Sequence, residues 1–171
     1  MVLDSIKQVL VLSEYFRQNN MIQIFTQHGH TEDELTGKVV NQLVRKWGAD
    51  GSIAKGSDDW QLIPAIESAW QAAGSPEIIH KNTYDAFINT DLEARLRSSH
   101  IGRVVVTGVM TDCCCDTTAR SAFNRGFETW LVSNACGSAN KTQHQAGLKG
   151  FGFAFGEVID SDTVIERLMK E

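Results

Sequence analysis

The chain has 171 residues and a mass of 18.9 kDa, enough for one domain with a proper core, and 42% hydrophobic with 22% charged residues is ordinary for a globular protein. A net charge of −5 and a pI near 5.5 leave no basic stripe to displace counterions, which argues against nucleic acid as a partner. No apolar run reaches a membrane span and the N-terminus lacks the basic–apolar–small order of a signal peptide, so a cytoplasmic protein with no membrane partner is expected.

In chain order, Ile6, Val9, Leu10, Ser13 and Phe16 fall at helical spacing within residues 2–20, and "RQNN" closes that helix. "MIQIFTQ" (21–27) reads as a short buried strand, followed by the loop "HGHTED". Residues 35–47 read as a helix, "GADGSIAKGSDDW" as a long loop and "IPAIESAWQA" as a weak helix. "EIIHK" (77–81) is a strand and "DLEARLRSSH" a helix with its charges outward. Then "RVVVTGV" is a strand apolar on both faces, "CDTTARSAFNRGF" a helix, "TWLVSN" a strand and "QHQAGLKGFGFAF" a helix, before a closing strand–helix pair in "VIDSDTVIERLMKE". Strands alternate with helices and "VVV" needs cover above and below, which predicts an α/β fold, a parallel doubly wound sheet in three αβα layers. No repeat or linker divides the chain, so one domain over residues 1–171 is expected. Ligands of such folds sit at the carboxyl ends of the strands, where the strand order reverses.

At one such end stand Cys113, Cys114 and Cys115, three of the four cysteines; Cys136 lies beyond a helix and a strand. A disulfide framework spaces its cysteines along the chain, so these read as reduced, and no CxxC pair supports zinc. A helix turns about 100° per residue, so neighbouring thiols face different ways. Cys115 shares the apolar stripe of Ala119, Ala122 and Phe123 and reads as core. Cys113 sides with Asp116, Thr117 and Arg120; Cys114 lies below Thr117, Thr118 and Ser121, a face able to look into a crevice. The first turn of a helix favours an anion at either position, and spacing does not separate the two.

"VVVTGVMTDCCCDTTARSAFNRGF" resembles the strand–turn–helix signature of the isochorismatase-like (cysteine hydrolase) family, and "IIHKNTYDAFINTDLEARL" resembles its lysine segment. "FTQHGH" and "IAKGSDDWQLIPAI" resemble further stretches of the same family, which includes nicotinamidase-related amidases. The resemblance implies that Cys114 is the nucleophile, attacking an amide or related carbonyl to give a thioester, and that Lys81 holds the thiol and favours the thiolate. It also implies a cis peptide between Val109 and Met110, turning the Met110 and Cys114 amides toward one oxyanion, and a homo-oligomer, a dimer or tetramer. No cofactor is implied beyond a small-molecule substrate.

The family's third catalytic residue is an aspartate ending a first strand, and no such stretch is present: "MVLDSIKQVLVLSEYF" matches the helix that follows it. Glu14 after "VLVLS" does not substitute, because too few residues remain for a parallel crossover. A longer parent chain, a strand from a partner and a rearranged sheet are equally compatible with this sequence. Weak or absent hydrolysis is the expectation. In "QHGH", His28 stands where nicotinamidase relatives carry a metal-binding aspartate and His30 matches their histidine; with Asp33 and Glu34 as further candidates the set is weak, and no metal is expected. Trp60 and His30 are candidate substrate contacts. Asp112 is expected to stabilise the helix N-terminus and Arg120 to face solvent or an adjoining subunit. The competing functions are cleavage of isochorismate with release of pyruvate, and a catalytically impaired binding paralogue.

Overall fold

In the computed structural model, which describes residues 2–170, helix α1 (Val2–Gln18) leads through an extended stretch to strand β1 (Thr26–His28). Strand β1 pairs in parallel with β2 (Ile79–Lys81), His28 opposite Lys81. A second parallel sheet has the order β3 (Arg103–Val109), β4 (Glu128–Gly137), β5 (Glu157–Ile159). Among the described residues no ladder joins β1 to β3, so the single doubly wound sheet expected from the sequence is divided in two.

The three-stranded sheet carries helices on both faces because its apolar residues alternate. Trp130 and Val132 pack with Leu12 of α1 and Val164 of α8 (Ser161–Leu168). Leu131 points the other way, onto Ala119 of α6 (Asp116–Asn124) and Phe151 of α7 (Lys141–Ala154). Period-two alternation on a strand with both faces covered yields this arrangement. A third cluster joins Ile79 of β2 to Leu92 and Leu96 of α5 (Leu92–Ser98) and to Ala122 and Phe127. The result is a three-layer α/β fold.

Several elements differ from expectation for local reasons. The helix expected over residues 35–47 is two short ones. A capping box between Thr31 and Glu34 starts α2 (Glu32–Leu35), Gly37 at φ +81° follows it, and the Asn41 side chain accepts from Leu43 N and Val44 N to start α3 (Gln42–Trp47). The weak helix is α4 (Pro64–Ala72), with proline in its first turn. "MIQIFTQ" is strand only from Thr26, since before it the Phe25 carbonyl alone takes a ladder bond, from Ile79 N. Strand β4 is longer than "TWLVSN", and its register on β3 shifts: Val106 faces Leu131, yet Gly108 faces Cys136. Gly108 sits at φ +112°, a conformation other residues rarely adopt, so the kink that turns β3 toward the cysteines depends on it.

Candidate active site

The carboxyl ends of β2 and β3 converge. Lys81, the last residue of β2, is only 6% exposed, and its Nζ donates to Thr83 O at 2.8 Å, Tyr84 O at 3.2 Å and Cys114 Sγ at 3.2 Å. An ammonium has three protons, so all are used. This contact separates Cys114 from its neighbours, which spacing does not. Cys113 is half-buried, and burial together with the Asp112 charge raises its pKa. Cys115 is buried; its hydrogen bond with Cys136 and its burial push its pKa well above the usual thiol range. All four cysteines are free thiols.

The segment Thr111–Cys115 forms a π-helical turn before α6, and the Val109–Met110 peptide preceding it is cis. Within the turn, Met110 O accepts from Cys113 N and Cys115 N, each at 3.1 Å. Helix α7 pins this turn from outside. His144 Nδ1 and Thr111 Oγ1 are 2.8 Å apart, Ser138 Oγ donates to Asp112, and a Cβ at Gly147 would stand 2.9 Å from Asp112 Cα. Asp112 is thus fixed by Ser138, beyond its expected role at the helix start. Gly147→Ala is expected to push the turn off α7, lower the alkylation rate of Cys114 by on the order of tenfold and cost about 1–3 kcal/mol, read by mass spectrometry and urea unfolding.

The face of α6 above Cys114 borders a cavity through Cys114 and Thr118, as expected, and further along it holds a loop. Thr118 Oγ1 accepts from Ala86 N at 3.1 Å and Ser121 Oγ donates to Asp85 Oδ2 at 2.7 Å, so that face holds the loop after Lys81. Thr118 and Ser121, with Thr83 and Tyr84, are the lysine-positioning residues that sequence reasoning missed; the spacing of 114, 118 and 121 along one helical face was the available signal. Arg120 pairs with Asp116 at 2.7 Å and lies over the Phe155 ring at 4.4 Å, within its own chain.

Two apolar cavities of about 470 and 500 Å³ meet at Lys81 and Cys114. Trp60 and His28 line the larger. The Trp60 indole sits where a side chain on Gly29 would be, with its ring 5.1 Å from that of His80. His30, a candidate substrate contact from sequence, is 2% exposed and lies behind His28, with the two Nε2 atoms 3.1 Å apart; His28 is the one that reaches the cavity. Among the described residues no third His, Cys, Asp or Glu completes a metal-ligand set with this pair. Glu34 is instead clamped by Thr31 N, Asn41 and Asn82, and so anchors the residue that follows Lys81.

These groups titrate in separate windows. Burial and the Lys81 charge lower the His28 pKa from 6.5 to about 4. Because the unfolded chain binds this proton first, His28 contributes stability above pH 6.5 that is lost as the pH falls toward 4, about 2 kcal/mol after allowing for its partial exposure. Burial works to raise the Glu34 pKa, but the hydrogen bonds outweigh it and hold the group at about 2, so its contribution survives until the pH falls from 4.5 toward 2. Urea midpoints measured from pH 8 to pH 3 should decline below pH 6.5, and His28→Asn should flatten that first decline.

Layered α/β architecture with a thiol and an ammonium at the strand ends defines a class of enzyme folds that place chemistry on loops beyond the sheet. The Isochorismatase domain family matches residues 3–163, and the chain belongs to that family of hydrolases. It is 32% identical to nicotinamidase 3 of Arabidopsis thaliana over 164 residues, 96% of this chain and 79% of that one. It is 31% identical to the ureidoacrylate amidohydrolase RutB of Methylobacterium radiotolerans over 113 residues, 63% of this chain but only 41% of that one. Among solved structures, the pyrazinamidase/nicotinamidase of Streptococcus mutans superposes with a TM-score of 0.79 at 26% identity, covering 92% of this chain and 86% of that one. A cysteine hydrolase from Pseudomonas syringae pv. phaseolicola superposes with a TM-score of 0.83 at 24% identity, covering 99% and 82%, and supports the fold. No helix among the described residues is long and apolar enough to cross a membrane.

Proposed function

We propose that this chain hydrolyses a small amide or ureido-type substrate with Cys114 as nucleophile. The contact of 3.2 Å between Lys81 Nζ and Cys114 Sγ carries the reading. Sulfur attacks the carbonyl carbon, the carbonyl electron pair moves to oxygen, and the Met110 and Cys114 amides receive that oxyanion. The C–N bond then breaks, the nitrogen leaves with a proton, and water hydrolyses the thioester to acid and free thiol. Lys81 offsets the charge on sulfur and holds it at the cavity mouth. The names of the matched relatives, a nicotinamidase and a ureidoacrylate amidohydrolase, supply the substrate class.

No carboxylate bonds to Lys81 or to Cys114 among the described residues, so none of these residues offers the thiol proton a carboxylate base at hydrogen-bond distance. A positioned general base is worth about 10²–10⁴-fold. Ammonia release from nicotinamide or a ureido acid is therefore expected at least about a hundredfold below the ~10 s⁻¹ median of enzymes, with an acyl-enzyme that hydroxylamine intercepts. Unchanged ammonia release by Cys114→Ala would overturn the assignment.

A further inference from the structure

The turn that follows Lys81 is gripped from outside the cavities. Glu34 is 5% exposed; against that burial its hydrogen bonds hold its pKa at about 2, so near neutral pH it is an anion that only accepts. Both amides beside it therefore present nitrogen: Asn82 Nδ2 donates to Glu34 Oε1 at 2.6 Å and Asn41 Nδ2 at 2.8 Å. Asn41 Nδ2 also donates to Asn82 O at 3.1 Å, so the residue after Lys81 is held by its side chain and by its backbone. Asn41 caps α3, and the last residue of that six-residue helix, Trp47, donates from Nε1 to Tyr84 Oη at 3.0 Å. An indole N–H cannot accept, so the phenol keeps its own proton for its hydrogen bond to the Cys113 sulfur.

We infer that Glu34, Asn41 and Trp47 are positioning residues for the Lys81 ammonium, acting through the turn 82–84. The inference rests on the reading of Cys114 as a nucleophile with Lys81 beside it. A lysine head on its flexible four-carbon stem points where its acceptors lie. Thr83 O and Tyr84 O take two of its three protons, at 2.8 and 3.2 Å, which leaves the third for Cys114 Sγ at 3.2 Å. Those two carbonyls belong to the segment that α3 holds at Asn82 with one end and at Tyr84 with the other. Thr118 holds the same segment from α6, accepting from Ala86 N and donating to Tyr84 O at 3.3 Å. A turn released on the α3 side is free to swing its carbonyls and draw the ammonium off sulfur. Trp47 is 57% exposed and so has the position of an ordinary surface residue, yet its N–H bears on Cys114 by this route. Charge gives the inference a sign. If Glu34 acted only as a negative charge, its removal would favour the thiolate and speed alkylation of Cys114; acting through Asn82, its removal slows it.

The test is the rate at which iodoacetamide modifies Cys114 in the whole chain at neutral pH, read by peptide mapping. Glu34→Gln leaves one oxygen for the capping box with Thr31, where glutamine serves like glutamate, and turns an NH2 against the Asn41 and Asn82 donors. It should slow Cys114 by about threefold or more. Combining it with Asn82→Asp reverses donor and acceptor at the same contact and should bring the rate back to within about twofold of the unsubstituted chain. Trp47→Phe, at an exposed site, should slow Cys114 by about twofold or more while the urea midpoint stays unchanged. Val164→Ala, in the core cluster beneath α1, is the control for lost stability: it should lower the urea midpoint and leave the rate alone. Unchanged or faster alkylation in Glu34→Gln overturns the positioning role, and so does a reversed pair no faster than the single variant. Trp47→Phe at full rate takes Trp47 out of the assignment. If Lys81→Met labels as fast as the unsubstituted chain, the lysine does not act on the sulfur and the reading beneath the proposal falls. If Lys81→Met alone slows labelling, that reading stands and the clamp falls.

Discussion

A short exposure to iodoacetamide at neutral pH is expected to modify Cys114 first, by about two orders of magnitude over Cys115 and Cys136. The geometry separates the thiols cleanly. Cys115 and Cys136 are each 4% exposed, and Cys136 Sγ lies 3.6 Å from Val106 O, so neither meets reagent without opening the core. Cys113 is reachable, but burial and Asp112 raise its pKa and lower its thiolate fraction. Cys114 alone has an ammonium on its sulfur and a cavity in front of it. Peptide mapping after timed quenching reads the order directly. Cys114→Ser should remove the fast site while changing stability by no more than about 1 kcal/mol, because its side chain is only half-buried. Uniform slow labelling of all four thiols would mean that the three adjacent cysteines only fill space.

Lys81→Met is expected to have the second large effect, and on two measurements at once. Removing the ammonium strands Thr83 O and leaves Tyr84 O only the Thr118 hydroxyl at 3.3 Å, at a site where the lysine is 6% exposed, which should cost about 2 kcal/mol and lower the melting temperature by about 6 °C. It also takes away the charge beside sulfur, so alkylation of Cys114 should slow by on the order of tenfold. Lys81→Arg should not restore either, since a planar fork does not match two carbonyls and a sulfur arranged around one point. A lysine serving only as a solvated surface charge would show neither loss.

Much of the site was legible because it is written in contiguous residues. "VVVTGVMTDCCCDTTARSAF" carries its own strand, turn and helix, and Cys115 joins the core at the helical spacing expected of it. Spacing along one helix left Cys113 and Cys114 equivalent, since the group that distinguishes them arrives from a strand 33 residues away. The same limit hid His144, which grips Thr111 from α7 at a separation of 33 residues, and turned His30 from a substrate candidate into a buried neighbour of His28. Strand pairing was not legible either: "MIQIF" is largely apolar, yet most of it takes no ladder bonds, because a strand exists only where a neighbour supplies donors and acceptors.

By itself, then, the order of residues determined most of the helices and the strands of the larger sheet, and that a thiol stands at the start of a helix. These follow from local periodicity, where each residue's role depends on neighbours a few positions away. Only the folded arrangement decided which sulfur meets the lysine, which face of α6 holds the loop after Lys81, and that no ladder joins β1 to β3 among the described residues. Those are distances between segments remote in sequence, set by how the three packed clusters share a single small core.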